Sequence, residues 1–147
     1  MLKQNLTKDT VQIVDEVNDW EESVAIAVKP LINIKAVKPG YIDSILQNIK
    51  ENGLYLIISP GLAFLHARPD ENVKKNCFSF TLLKEAISFG HQKFDPVDLL
   101  FVFAAKDENA HREILEKLAK LLMQEGFKDD LRRAESKEEL LALLSEN

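Results

Sequence analysis

The sequence contains a single cysteine, Cys77, among its 147 residues. One cysteine cannot form a disulfide bond within the chain, and it cannot build a cysteine-rich zinc site. Because Cys77 lies in a strand-like segment, we expect it to be a small core residue rather than a reactive thiol. A chain of this length buries a sizeable core, so it does not require disulfide bonds for stability.

Histidine is also scarce, and the three copies are His66, His91 and His111. They show none of the close spacings, such as HExxH, by which histidines bind metal ions. The chain also lacks the GxSxG motif of many serine hydrolases and the glycine-rich loop of P-loop nucleotide-binding proteins. We therefore expect a protein that holds neither a metal ion nor a cofactor.

A concentrated basic surface and a long apolar run are missing as well. The chain has 19 basic and 24 acidic residues, interspersed along its length, for a net charge of −5. This balance argues against a nucleic-acid partner, which needs a basic face. No apolar run is long enough to cross a bilayer, and the first ten residues lack the apolar core of a signal peptide. We expect a cytoplasmic protein with no direct membrane insertion.

Two amphipathic helices are predicted in the first third of the chain. Asp19, followed three residues later by Glu22, is the pattern of a capping box at a helix start. Pro30 has no backbone N–H, so we expect this helix to kink or to end early there. A second helix is predicted to begin near Pro39 and to end at Gly53, a residue type common at helix C-termini.

Short apolar segments predict strands in the middle of the chain, and helices return after them. One strand alternates, which predicts a single covered face, and the last is continuously apolar, as in a central strand buried on both faces. Helices are predicted to start at Asp107 or Asn109, at Phe127 and at Ser136. The pattern predicts one α/β domain over residues 1–147, with a mixed β-sheet of about five strands flanked by helices on both sides. The predicted strands are Val11–Val14, Leu54–Ile58, Leu62–Leu65, Cys77–Leu83 and Asp98–Ala105.

The three histidines occupy different predicted settings. His66 ends an apolar strand, where it is either a rigidly held nucleophile or a partly exposed residue entering a turn, and the residues alone favour the second. His111 lies in the first turn of a long helix, whose free N–H groups attract phosphate-like anions. It is either a donor to such an anion or a cap or surface residue. His91 is predicted to be a solvent-exposed loop residue.

Three motifs resemble those of a known family: GLAFLHARP (residues 61–69), PVDLLFVFAA (96–105) and DENAH (107–111). Together they resemble the enzyme IIA component of the bacterial phosphoenolpyruvate-dependent sugar phosphotransferase system, of the mannitol/fructose type. The resemblance covers nearly the whole chain and is closest to the ascorbate-specific group. It implies a phosphotransferase in which His66 is the phosphorylated residue and His111 is the second active-site histidine.

The resemblance also implies two partners. The phosphoryl donor is the phosphocarrier protein HPr, and the acceptor is a cysteine of the enzyme IIB (EIIB) component of the same transporter. Both must reach the same nitrogen of His66, so we expect one shared apolar face, with Leu62, Phe64 and Leu65 as candidates and Arg68 toward its rim. The other ring nitrogen should donate its proton to a fixed acceptor, such as a backbone carbonyl.

The chain departs from the family pattern at two positions. Leu65 stands where most of the family has proline, directly before the active histidine. The mannitol branch carries an arginine near the position of Asn48, and Arg68 is the nearest cation that could replace it. Two other functions stay open. The first, which the resemblance also implies, is a regulatory domain whose phosphorylation state controls transcription or metabolism. The second is a binding domain that is not phosphorylated, which Leu65 favours slightly and the presence of both His66 and His111 weighs against.

Overall fold

The centre of the computed structural model, which describes residues 6–145, is a five-stranded sheet in the order β1-β4-β5-β3-β2. β1 is parallel to β4 and β3 is parallel to β5, whereas the other neighbouring strands are antiparallel. The sheet is therefore mixed, as predicted. The strands are β1 (Val11–Val14), β2 (Ile57–Ser59), β3 (Leu62–Leu65), β4 (Cys77–Ile87) and β5 (Val97–Ala104).

Five helices lie in the described part of the chain, and they cover both faces of the sheet. The first two pack on one face, and the other three pack on the opposite face. This arrangement confirms the predicted single α/β domain with a sandwiched sheet. No helix within residues 6–145 is long and apolar enough to cross a membrane. The helices are α1 (Trp20–Asn33), α2 (Gly40–Asn52), α3 (Glu108–Leu122), α4 (Phe127–Arg133) and α5 (Lys137–Ser145).

β5 is the middle strand of the sheet, and its residues from Leu99 to Ala104 are completely buried. The continuous apolar run had predicted this position. Its neighbour β4 differs from expectation, because the prediction of one covered face is wrong. Ser79 and Thr81 of β4 are fully buried, yet both are hydrogen-bonded. Ser79 Oγ donates to the Ala27 carbonyl at 2.9 Å, and Thr81 Oγ1 accepts from Gln12 at 2.9 Å.

Pro30 does not end α1, which continues to Asn33, so the expectation of an early end is wrong. In a regular helix the amide of residue 30 would donate to the carbonyl of Ile26, and proline has no such amide. Gln12 Nε2 fills this place by donating to the Ile26 oxygen at 2.9 Å. A side chain of β1 therefore replaces the hydrogen bond that Pro30 removes, and the last turn of the helix survives.

The predicted helix ends are mostly confirmed, with local differences. Asp19 caps α1 by accepting from the Glu22 amide at 2.7 Å, but the Glu22 carboxylate accepts from Asn18 and not from Asp19. Asp107, and not Asn109, caps α3. Gly53 ends α2 with a φ of 82°, a value that favours glycine. Two strands differ from prediction in their bounds, since β2 begins at Ile57 rather than Leu54 and β4 extends to Ile87. Cys77 is buried in the core, as expected.

We predict that Gln12→Ala lowers the free energy of unfolding by about 1–2 kcal/mol, because the Ile26 carbonyl loses its donor. The same substitution made in a Pro30→Ala background should cost less, since the new amide at residue 30 can bond to Ile26. Urea unfolding of the wild type, both single variants and the double variant measures this coupling. Additive effects of the two substitutions would show that Gln12 does not compensate for Pro30.

Candidate active site

His66 follows the last residue of β3, and its ring lies on the face of the sheet that α3 covers. The ring stacks on Phe103 of β5, with centroids 4.6 Å apart and planes 23° apart. His111 meets it at an angle of 68°, with centroids 5.3 Å apart. His66 is buried, with 8% of its surface exposed. The fold thus brings together the two histidines that the sequence analysis proposed as the site.

A hydrogen bond fixes which nitrogen of His66 carries the proton. Nδ1 lies 2.8 Å from the carbonyl oxygen of Phe64, two residues earlier in the chain. A carbonyl can only accept, so Nδ1 must donate, and the lone pair of the neutral ring is on Nε2. The predicted backbone acceptor is therefore the carbonyl of Phe64.

Burial keeps the His66 ring neutral. Removal from solvent lowers the pKa of His66 to about 4, because the charged form loses its hydration. The hydrogen bond to Phe64 opposes this shift, and the nearby His111 adds to it. At neutral pH the ring therefore offers an uncharged nitrogen with a free lone pair, which is the form that a nucleophilic imidazole needs.

His111 lies in the first turn of α3, whose N-cap is Asp107. Its ring also contacts Phe103 edge-on, with centroids 5.3 Å apart. Its Nδ1 is buried, and within residues 6–145 this atom has no hydrogen-bond partner. Burial lowers the pKa of His111; the carboxylate of Glu108 opposes this, and Arg68 adds to it. His111 is thus a second neutral imidazole beside the first.

Side chains of α2 and of the segment after it complete the site. Asn48 Nδ2 donates to the His66 carbonyl oxygen and to the Tyr55 hydroxyl, both at 2.9 Å. The Tyr55 ring is edge-on to His66, with centroids 6.1 Å apart. Sequence reasoning noted Asn48 only for the missing arginine and did not single out Tyr55 or Phe103. Tyr55 lies outside the three motifs, and Phe103 is one of several similar apolar residues within PVDLLFVFAA. Only the fold brings these two rings next to His66.

Both histidines open onto a cleft of about 720 Å³. In the described part of the chain, three carboxylates and one guanidinium line this cleft, so its charged rim is mainly acidic. Arg68 is exposed and lies in this rim. Among the described residues no group of acidic, histidine or cysteine side chains has the geometry of a metal site. The charged lining residues are Glu51, Arg68, Asp70 and Glu108.

Two other expectations, one about the residues before His66 and one about His91, are wrong. Leu62, Phe64 and Leu65 are at most 3% exposed, so they belong to the core and cannot form an apolar face for partners. His91 is half-buried rather than exposed, and its Nδ1 accepts from the amides of Lys93 and Phe94. The three residues of β3 are buried because helices cover both faces of the sheet. His91 is half-buried because its ring accepts the two hydrogen bonds that hold its own loop.

Comparisons with known proteins identify the family and the fold of this chain. The family model described as "Phosphoenolpyruvate-dependent sugar phosphotransferase system, EIIA 2" matches residues 4–147. The chain is 37% identical over 145 residues to the ascorbate-specific PTS system EIIA component of Escherichia coli, which covers 97% of this chain and 94% of that protein.

Solved structures show the same fold. The mannitol-specific cryptic phosphotransferase enzyme IIA of Escherichia coli has a TM-score of 0.90 at 28% identity, covering 99% of each chain. Enzyme IIA of the mannitol system, in complex with phosphorylated enzyme IIB from Escherichia coli, has a TM-score of 0.83 at 23% identity. This second likeness covers 97% of this chain and 98% of that one, and it supports the fold alone.

We predict that protonation of His66 destabilises the fold. The pKa is lowered to about 4 in the folded protein, and an unfolded histidine titrates near pH ~6.5, so the unfolded state binds its proton first as the pH falls. Stability should therefore drop between these two values, by about 3 kcal/mol at the lower one. A His66→Asn variant lacks this contribution. Urea unfolding at a series of pH values checks it, and parallel curves for the two proteins would contradict it.

Proposed function

Since the chain belongs to the EIIA 2 family of the phosphoenolpyruvate-dependent sugar phosphotransferase system, and so transfers phosphoryl groups, we propose that His66 carries the phosphoryl group on Nε2. The observation that supports this most directly is the hydrogen bond from Nδ1 to the Phe64 carbonyl. It leaves Nε2 as the nitrogen with a free lone pair. The low pKa of the ring keeps that lone pair available at neutral pH.

In the first half of the reaction, His66 is phosphorylated. The lone pair of Nε2 attacks the phosphorus of the phosphorylated donor, and the N–P bond forms as the bond between phosphorus and the donor atom breaks. The electron pair of the broken bond stays on the donor. Nδ1 keeps its proton throughout, so the ring becomes positive as the new bond forms, and the Phe64 carbonyl stabilises that charge.

The second half returns His66 to its starting state. A thiolate of the acceptor attacks the phosphorus, the N–P bond breaks, and its electron pair returns to Nε2. The ring is neutral again, with the proton still on Nδ1. Burial disfavours the positively charged, phosphorylated ring, and this keeps the phosphoryl group easy to transfer onward.

We assign His111 the role of a donor to the phosphoryl oxygens. Its Nδ1 is buried without a described partner, so Nε2 is the nitrogen suited to carry the proton and to donate into the cleft. A neutral N–H placed before the reaction stabilises the charge that develops on the transferring group. The Ala110 amide of the same turn already donates to Asp107, so it does not serve this purpose.

The proposed partners are the phosphocarrier protein HPr as donor and a cysteine of an EIIB component as acceptor. Membership of the EIIA 2 family supports both partners, and a protein of the same fold, a mannitol enzyme IIA, forms a complex with its phosphorylated enzyme IIB. The names of the relatives at 37% identity support ascorbate as the sugar class. The phosphoryl group originates from phosphoenolpyruvate, a cytoplasmic metabolite, and this favours a cytoplasmic location for the protein.

We predict that incubation with phosphoenolpyruvate, enzyme I and HPr phosphorylates the wild-type protein on His66 alone. His66→Ala should take no phosphate and should still fold, because its ring packs at the end of a strand. Peptide mapping by mass spectrometry under alkaline conditions locates the group. Phosphate on His91 or His111 in the wild type would contradict the assignment, and a wild type that takes none would favour a binding domain without phosphorylation.

A second prediction concerns His111→Ala. This variant should still be phosphorylated on His66, but the rate of transfer to the EIIB cysteine should fall on the order of 100-fold, as when one preorganised donor is lost. Single-turnover transfer from the purified phosphorylated protein measures this rate. A rate equal to that of the wild type would reduce His111 to a packing residue.

A further inference from the structure

The peptide bond between His66 and Ala67 is held at both of its polar atoms by side chains of one helix. Asn48 Nδ2 donates to the His66 carbonyl oxygen at 2.9 Å, and the Ala67 amide donates to the Tyr41 hydroxyl at 3.0 Å. Tyr41 and Asn48 both lie on α2, seven residues apart, which places them two turns apart on the same side of the helix. A trans peptide points its C=O and N–H in opposite directions, so the two side chains grip this peptide from its two sides.

The sheet itself cannot hold this peptide. The parallel pairing of β3 with β5 ends at Leu65, opposite Val102. Beyond this point the Tyr41 hydroxyl bridges the two main chains in place of a direct hydrogen bond between the strands. It accepts from the Ala67 amide and donates to the Phe103 carbonyl at 2.8 Å. The two strands therefore separate at His66, and a side chain fills the gap between them.

We infer that Tyr41 and Asn48 are positioning residues, which fix the His66–Ala67 peptide plane and thereby aim the imidazole for phosphoryl transfer. This inference rests on the proposed role of His66. The peptide plane sets the backbone direction at His66, and that direction decides whether Nδ1 can reach the Phe64 carbonyl while the ring stacks on Phe103. Neither residue touches the reacting nitrogen, and both act through the main chain.

The hydrogen bonds to the His66–Ala67 peptide explain how this chain works without an arginine near position 48. Asn48 binds the His66 carbonyl through one N–H and the Tyr55 hydroxyl through the other. Its Oδ1 accepts from Asn52 one turn along α2, so the amide cannot rotate freely. Hydrogen bonds to the main chain, and not a charge in the cleft, are what this position supplies.

The test uses Tyr41→Phe and Asn48→Ala, each with a matched control. Ser79→Ala also removes a buried hydroxyl that donates to a main-chain carbonyl. Gln12→Ala also removes an amide that donates to one carbonyl and one hydroxyl, both at 2.9 Å. We expect both controls to lower stability without touching the peptide after His66, so they separate positioning from loss of stability.

Two readouts follow the ring and the reaction separately. The ¹⁵N chemical shifts of the unphosphorylated His66 ring report which nitrogen carries the proton. In Tyr41→Phe and Asn48→Ala we expect a mixture of both neutral ring forms in place of one form protonated at Nδ1. The limiting rate of phosphorylation by phospho-HPr should fall on the order of 10- to 100-fold with little change in KM, as for a misplaced reacting group. The controls should match the wild type in both readouts.

The outcomes separate this inference from the proposed function. A wild-type protein that accepts no phosphate would contradict the function, and the ring shifts would still test the grip on the peptide. If both variants keep the single ring form and the wild-type rate, the inference is wrong. It is equally wrong if the controls reduce the rate as much as the variants do. Should Tyr41→Phe fail to fold, Asn48→Ala alone decides, because its side chain is only half-buried.

Discussion

The hydrogen bond from His66 Nδ1 to the Phe64 carbonyl is the interaction on which the site depends. It joins the imidazole to its own strand, two residues back, and it leaves a single nitrogen free for chemistry. The other contacts of the site hold the ring and the chain next to this bond. The His66 ring stacks on Phe103, Asn48 of α2 binds the peptide after His66, and the His111 ring of α3 contacts the His66 ring.

Burial of this ring has two opposite consequences that together suit a carrier. It lowers the pKa of His66 to about 4, so the free ring is neutral and nucleophilic over the whole physiological range. The same loss of hydration would disfavour the positive charge of the proposed form, in which Nε2 is bonded to phosphorus. A site that bound the phosphoryl group with strong cations would hold it too tightly, and among residues 6–145 Arg68 is the one guanidinium in the lining of the cleft.

The fold could be predicted from local patterns, because apolar runs, caps and glycine stops are local properties. The central strand β5, the helix stop at Gly53 and the mixed sandwiched sheet all follow from them. The alternation in β4 was misleading, since Ser79 and Thr81 are buried polar residues whose partners lie on α1 and β1. Pro30 was misleading for the same reason: its compensation comes from Gln12, 18 positions away in the sequence. The two histidines could be proposed from motifs, whereas Tyr41, Asn48 and Phe103 reach His66 or the peptide after it through contacts that only the folded chain creates.

The central claim is that His66 uses Nε2 because Nδ1 is committed to the main chain. It is tested most directly by ³¹P–¹⁵N coupling in the phosphorylated protein labelled with ¹⁵N at histidine. The account predicts a one-bond coupling to Nε2 of His66, together with a proton still bound to Nδ1. A coupling to Nδ1 of His66 would contradict it, since that nitrogen could react only after breaking the bond to Phe64.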